Sequence, residues 1–216
     1  MKLVLRNYWR SSASHRVRTA LGLKGLAFEY VPVSLLGGDQ LSEAYRAKNP
    51  MAQVPTLELT EDDGAQLRLT QSIAIIEYLE ERWPDPPLLP RELFLRARAR
   101  LLAELCNSGM QPHQNLATLR KLKALGVETG PWVQGFLGDG LAAFAHFAAE
   151  TAGAFCVGDA PTIADVCLVP QLASARRFGV PLERFPQLLE IEARCLSLPA
   201  FADAMPDRQP DAQQAS

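Results

Sequence analysis

The chain has 216 residues, enough for one large or two small domains. An apolar content of 48% supports a packed core, and a formal charge of -2 gives no electrostatic footprint for nucleic acid. No apolar run approaches a membrane span, and polar residues follow Met1 so closely that no signal peptide is expected. Residues 2–8 read as a strand, and residues 14–25 as a helix that stops at Gly25. Between them stands Arg10-Ser11-Ser12-Ala13-Ser14-His15-Arg16-Val17-Arg18, three serines and several arginines where a strand turns into a helix. A helix N-terminus carries unpaired N–H groups and partial positive charge, so this turn suits an anion or a thiolate. Capping needs only one serine.

Phe28–Val33 alternates and reads as a second strand, parallel to the first through a strand–helix–strand connection. A short helix is expected near 40–48. Val54-Pro55 opens a short strand, leaving Val54 with backbone groups available to a ligand. Asp62-Asp63-Gly64 turns between antiparallel strands at 56–59 and 67–69. Gln71-Ser72 then precedes a helix with apolar residues at Ile73, Ile76 and Leu79, so a second serine marks a second helix start. The β-α-β-α-β-β-α order is a thioredoxin-like layout, α/β in class, assigned to residues 1–83.

Trp83-Pro84-Asp85-Pro86-Pro87 reads as a linker. Beyond it an all-α domain is expected over 90–216, with helices at 92–115, 131–151, 163–176 and 186–197. The arginines between Arg91 and Arg100 alternate with Leu and Ala, as on a solvated helix face. Thr162 and Asp165 have capping-box spacing. Residues 206–216 are polar and are expected to form a loosely held tail. The four cysteines, Cys106, Cys156, Cys167 and Cys195, lie far apart in apolar surroundings. Buried free thiols in a reducing cytoplasm are expected, and with three scattered histidines no metal site.

Five blocks carry a resemblance. Ser11–Arg18 resembles the S-S-C-S-x-R-V-R motif of zeta-class glutathione transferases. Asn49–Leu57, Gln71–Glu80, Gln111–Leu116 and Ala164–Gln171 are similar to further blocks of that class, in order and at matching spacing. The resemblance spans nearly the whole chain. It implies an isomerase of maleylacetoacetate or maleylpyruvate that uses glutathione as a true cofactor, and a homodimer. It also implies glutathione contacts at Ser11, Ser12, Ser14, His15, Arg16, Gln40, Val54, Gln71, Ser72, Gln111, Asn115, Leu116 and Ala117. One departure stands out: the family's motif cysteine is Ala13 here.

The chemistry explains the residue types. A thiolate adds reversibly to a cis double bond, rotation follows, and expulsion of the sulfur leaves the trans isomer. The thiol must therefore ionise near neutral pH, which Ser11 or Ser12 and the helix N-terminus favour. The diacid substrate needs planar, forked cations, for which Arg10 and Arg177 are the candidates, with Arg176 as the alternative to Arg177. His15 reads either as a general acid or as a first-turn surface residue, and Gln111 and Asn115, four apart, are expected on one helix face. Leu116 favours maleylacetoacetate over maleylpyruvate, whose relatives tend to carry basic residues there. A transferase that conjugates or dehalogenates small α-halo acids, and a non-catalytic glutathione-fold module, are the other readings. The retained serines, Gln71, Ser72 and the arginines speak against the module.

Overall fold

The computed structural model describes residues 1–212. The chain forms two compact units, one of Met1–Pro86 joined by the segment from Pro199 onward, the other of Pro87–Leu198.

The first unit begins with β1 (Lys2–Asn7), α1 (Ser12–Leu23) and β2 (Glu29–Pro32). It continues with α2 (Glu43–Arg46), β3 (Thr56–Thr60), β4 (Gln66–Thr70) and α3 (Ser72–Arg82). The sheet order is β2-β1-β3-β4. β1 and β2 run parallel, with Leu5 opposite Tyr30. β1 pairs antiparallel with β3 through Leu5 and Leu57, and β3 with β4 through Thr56 and Thr70. The β-α-β-α-β-β-α order is the thioredoxin-like layout read from the sequence. Alternation on β1 and β3 sends Leu3, Leu5, Leu57 and Leu59 to the face covered by α1 and α3. There they meet Val17, Leu21, Ile75, Ile76 and Leu79, all fully buried or nearly so. Each such side chain contributes about 1.5–3 kcal/mol.

Two buried polar contacts join α1 to α3. Arg16 Nη1 donates to Ser72 Oγ at 3.3 Å, and eight residues further along both helices Lys24 Nζ donates to Glu80 Oε2 at 2.6 Å. Both pairs are 56 residues apart in sequence, so the two helices run parallel and in step. Their N-termini therefore lie at the same end of the unit.

The segment from Pro199, expected within the helical domain at 90–216, packs on the first unit instead. α10 (Pro199–Ala202) approaches α1 where Gly22 leaves room, since a Cβ there would lie 3.1 Å from Ala200 Cβ. The buried Arg18 guanidinium donates to Ala204 O at 3.0 Å, Trp9 O at 3.0 Å and Asn7 Oδ1 at 2.9 Å. Asp211 accepts the Trp9 N–H at 3.0 Å and the Tyr30 hydroxyl. Residues 206–212 are thus held by buried charge and hydrogen bonds, which corrects the expectation of a loose tail. Residues 213–216 of that expected tail lie outside the described residues.

The second unit is helical. It holds α4 (Leu93–Glu104), a π-helical turn (Leu105–Met110), α5 (Gln111–Gln114) and α6 (Leu116–Ala124). α7 (Thr129–Ala148), α8 (Ile163–Arg177) and α9 (Pro186–Leu196) complete it. The single helix expected at 92–115 is broken by the π turn and stops before Asn115, and α6 was not foreseen. α8 is the central helix, buried from Ile163 to Leu172. It starts with the expected capping box, in which Asp165 accepts the Thr162 N–H at 2.8 Å. Asp165 also accepts the Cys156 N–H at 2.8 Å, tying in the preceding loop. All four cysteines are buried and none forms a disulfide. Among the described residues no helix is long and apolar enough to cross a membrane, and no cluster could hold a metal ion.

Candidate active site

The turn from β1 into α1 has a division of labour among its serines. Ser11 is the N-cap, its Oγ accepting the Ser14 N–H at 3.2 Å. Ser14 is fully buried and its Oγ accepts the Tyr8 N–H at 3.5 Å. So Ser14 is not the cap, as it could have been on sequence alone. Ser12, the first residue of α1, makes no side-chain hydrogen bond among the described residues. Its hydroxyl is uncommitted. No acidic residue occupies the first turn, so nothing there offsets the positive end of the helix. Arg10 lies just outside, stacked over Trp9 at 5.3 Å. A cavity of about 350 Å³ flanks this turn, walled by Tyr8, Trp9, Pro32, Ser34 and the carboxylates of Asp39 and Asp211. None of the three serines of the turn lines it.

The second helix start has a different character. Gln71 has φ of 67°, in the left-handed region, and its side chain does not cap α3. A non-glycine residue held there carries about 1–3 kcal/mol of strain, a cost typical of ligand sites. Its carboxamide is exposed, while Ser72 beneath is buried and tied to Arg16. Before β3, the Val54-Pro55 bond is cis. The Val54 N–H and C=O form no hydrogen bond among the described residues. The neighbouring Gln53 C=O is fixed by Tyr45 Oη and Asn49 Nδ2, both at 2.7 Å. Val54 therefore presents a rigid, unpaired backbone edge, suited to an extended peptide-like ligand. Gln40 is buried, with its Nε2 on Leu35 O at 3.4 Å and its Oε1 unpartnered.

In the helical unit, Asn115 does not share a helix face with Gln111. It is the N-cap of α6 in extended conformation, with its Oδ1 accepting the Ala117 N–H at 3.1 Å. Leu116 and Ala117 form that first turn. Gln111 Oε1 accepts from Gln114 at 3.2 Å. Arg176 is committed to Glu192 through two charge-assisted bonds, one of 2.6 Å. Arg177 instead stacks over Phe178 at 4.7 Å and donates to Ser174 Oγ at 3.2 Å.

Residues 10–82 match the family described as glutathione S-transferase, N-terminal domain. Over 213 residues the chain is 46% identical to a maleylacetoacetate isomerase of Rattus norvegicus, covering 97% of this chain and 95% of that protein. It is similar to a crystal structure of the maleylacetoacetate isomerase of Anaeromyxobacter dehalogenans with glutathione bound in the active site. That likeness has a TM-score of 0.91 and 51% identity, over 98% of both chains. It also resembles, at TM-score 0.90 and 40% identity over 97% of this chain and 99% of the other, a holo structure of a maleyl pyruvate isomerase of the zeta class. The chain belongs to the zeta-class glutathione transferases.

Within that class, Ala13 removes the motif thiol, so this zeta-class chain has no cysteine at the turn. His15 is neither a surface residue nor a poised acid: it is 1% exposed and its Nε2 has no partner. Burial, and then the charges of Arg18 and Arg16, push its pKa well below the usual histidine value, so it is neutral. Ser14, His15 and Arg16 are all buried at the start of α1. Sequence reading missed Arg18, Asp211, Gln114 and Ser174. Arg18 belongs to the same motif, but Ser14 and His15 share its face of α1, so the sequence did not mark it as buried. Asp211 carried no signal, because its partner Trp9 is 202 residues away.

Proposed function

We propose that this chain is a glutathione-dependent cis–trans isomerase of maleylacetoacetate or a closely related maleyl keto acid such as maleylpyruvate. The observation that carries the reading is the first turn of α1. It offers an uncommitted Ser12 hydroxyl in an unopposed helix field, while every cysteine of the chain is buried. The thiol for the chemistry is thus brought in as a ligand. The residues fit glutathione: the Val54 backbone edge suits its peptide unit, and the α3 N-terminus with Gln71 and Ser72 suits its γ-glutamyl carboxylate. Gln40, Gln111, Asn115, Leu116 and Ala117 complete the proposed contacts.

Bound glutathione supplies a thiol that opens the double bond to rotation and is not consumed. Ser12 donates its O–H to the sulfur, and the α1 N-terminus adds its field. Together they hold the thiol pKa below the free value of about 8.5. Ser11, already accepting from Ser14, keeps its own O–H for a second donation. Arg10 and Arg177 take the substrate carboxylates with planar forks, and stacking on Trp9 and Phe178 limits their freedom beforehand. We place the protein in a reducing cytoplasm, to which four cysteines without a disulfide are suited, and as a homodimer.

The test is to mix purified protein with each cis substrate, with and without glutathione, and follow both the isomer and total free thiol. Turnover only with glutathione and without thiol loss is expected. Thiol loss with a stable adduct would make the chain a conjugating transferase, and no reaction with either substrate would overturn the reading.

A further inference from the structure

We propose that Gln114 is a positioning residue that holds Gln111 and Arg177 through one buried carboxamide. This rests on the reading above, in which Gln111 faces glutathione and Arg177 the diacid.

The side chain lies at the end of α5, immediately after the π-helical turn Leu105–Met110. A π turn shifts the phase of the side chains that follow it, and such turns recur at functional sites. Gln114 is 5% exposed and every polar hydrogen it has is used. One amide N–H goes to Gln111 Oε1 at 3.2 Å and the other to Gln171 Oε1 at 3.1 Å. Its Oε1 accepts the Ser174 hydroxyl at 2.5 Å, and Ser174 Oγ in turn accepts from Arg177 Nη2 at 3.2 Å. The reversed amide would set an oxygen against the oxygens of both Gln111 and Gln171, so the network fixes one orientation. A directed chain therefore runs from Arg177 through Ser174 and Gln114 to Gln111.

The network is costly to the fold. Gln171 is fully buried, and because its oxygen is turned to Gln114 its Nε2 has no partner. A partly satisfied buried network is less stable than apolar side chains in the same space. What it gives is placement. Arg177 is exposed, and a long exposed cation loses rotamer freedom when it grips a ligand. A hydrogen bond from a buried serine on one side and the Phe178 ring on the other hold it beforehand. Gln111 is steadied in the same way by an amide that cannot turn.

The two arms separate experimentally. Ser174→Ala cuts the Arg177 arm and the bond to Gln114 Oε1, while the two amide N–H bonds of Gln114, to Gln111 and Gln171, stay in place. It is expected to raise the KM for the maleyl keto acid roughly tenfold, the worth of one hydrogen bond to a charged group. That rise should exceed its effect on kcat and leave the KM for glutathione within about twofold. Ser174→Thr keeps the hydroxyl and restores the lower value. Gln114→Ala is expected to raise both KM values and to weaken glutathione binding in calorimetry. Unchanged KM values in Ser174→Ala would overturn the proposal, as would equal losses in the Ala and Thr variants. If Gln114→Ala does not fold, the Ser174 pair still decides. If the wild type shows no isomerase activity, the reading above has failed on its own, and glutathione titration of Gln114→Ala still tests the Gln111 arm.

Discussion

Replacing Glu80 by leucine tests whether the two site-bearing helices are locked at their far ends. The Lys24 side chain is 0% exposed and that of Glu80 8%, with 2.6 Å between Nζ and Oε2. Lys24 also donates to Pro86 O at 2.6 Å, so the ammonium has both a carboxylate and a carbonyl. Removing the carboxylate leaves a buried cation with the carbonyl, at a cost of about 3–5 kcal/mol. The double change Lys24→Met/Glu80→Leu removes both charges and replaces them with apolar volume, and is expected within about 1 kcal/mol of wild type or above it. Urea unfolding followed by far-UV circular dichroism gives the three midpoints, with unchanged slope showing that only stability has moved. A loss below about 1 kcal/mol in Glu80→Leu would refute the argument, because that is the worth of a surface ion pair. A double variant as unstable as the single one would refute it too, by showing that the site needs volume or helix propensity instead of charge pairing.

Ser12→Ala and Ser11→Ala should differ in kind. The first is expected to lower kcat/KM by about 10- to 100-fold at pH 7, with activity recovering at higher pH as the thiol pKa returns toward about 8.5. The second should lower stability by about 1 kcal/mol through loss of the cap and lower activity less than Ser12→Ala does, Ser11 being only the second donor; thermal melts against pH–rate profiles separate the two. His15 titrates well below its free value, so the unfolded chain binds its proton first as pH falls. Its stabilising contribution is present above about pH 6.5 and is lost as pH falls toward the folded pKa, and His15→Gln should flatten that part of an acid-unfolding curve. Gly140 of α7 sits against the π turn: an added Cβ would lie 2.3 Å from Cγ of Met110, which is fully buried. Gly140→Ala is therefore expected to cost about 1–3 kcal/mol in urea unfolding and to raise the KM for glutathione by disturbing Gln111.

What the sequence made legible follows how far each interaction reaches along the chain. The alternation at Leu3 and Leu5, the stop at Gly25 and the Thr162–Asp165 box are local, and each element they announce is present. The five motif blocks preserved both the family and the residues at the two helix starts. The break at Asn115 was lost because its neighbours have ordinary helical composition. Only its own capping conformation, with φ of -65° and ψ of 137°, ends one helix and begins the next. The burial of His15 was lost because a polar side chain in a first turn reads as solvated unless the covering segments are known. The hold of Asp211 on Trp9 and Tyr30, and that of Ser174 on Gln114, 60 residues away, leave no periodic trace at all.

Ala13 brings the local and distant information together. A cysteine at that position would lie in the first turn of α1, in the same unopposed field that stabilises a bound thiolate. It would ionise with the ligand, repel it as a like charge, and be able to attack glutathione disulfide, forming a mixed disulfide and releasing one glutathione thiolate. Alanine removes all three effects and leaves the field, and the Ser12 hydroxyl, to the imported sulfur alone. The four remaining cysteines are buried in the helical unit, with Cys156 and Cys195 pushed up by burial and by the Asp165 charge, so they stay protonated. On the proposed function, the turn at Ser11–Ser14 is a site with donors and a dipole but no nucleophile of its own. That arrangement suits a reaction in which the attacking sulfur must also leave.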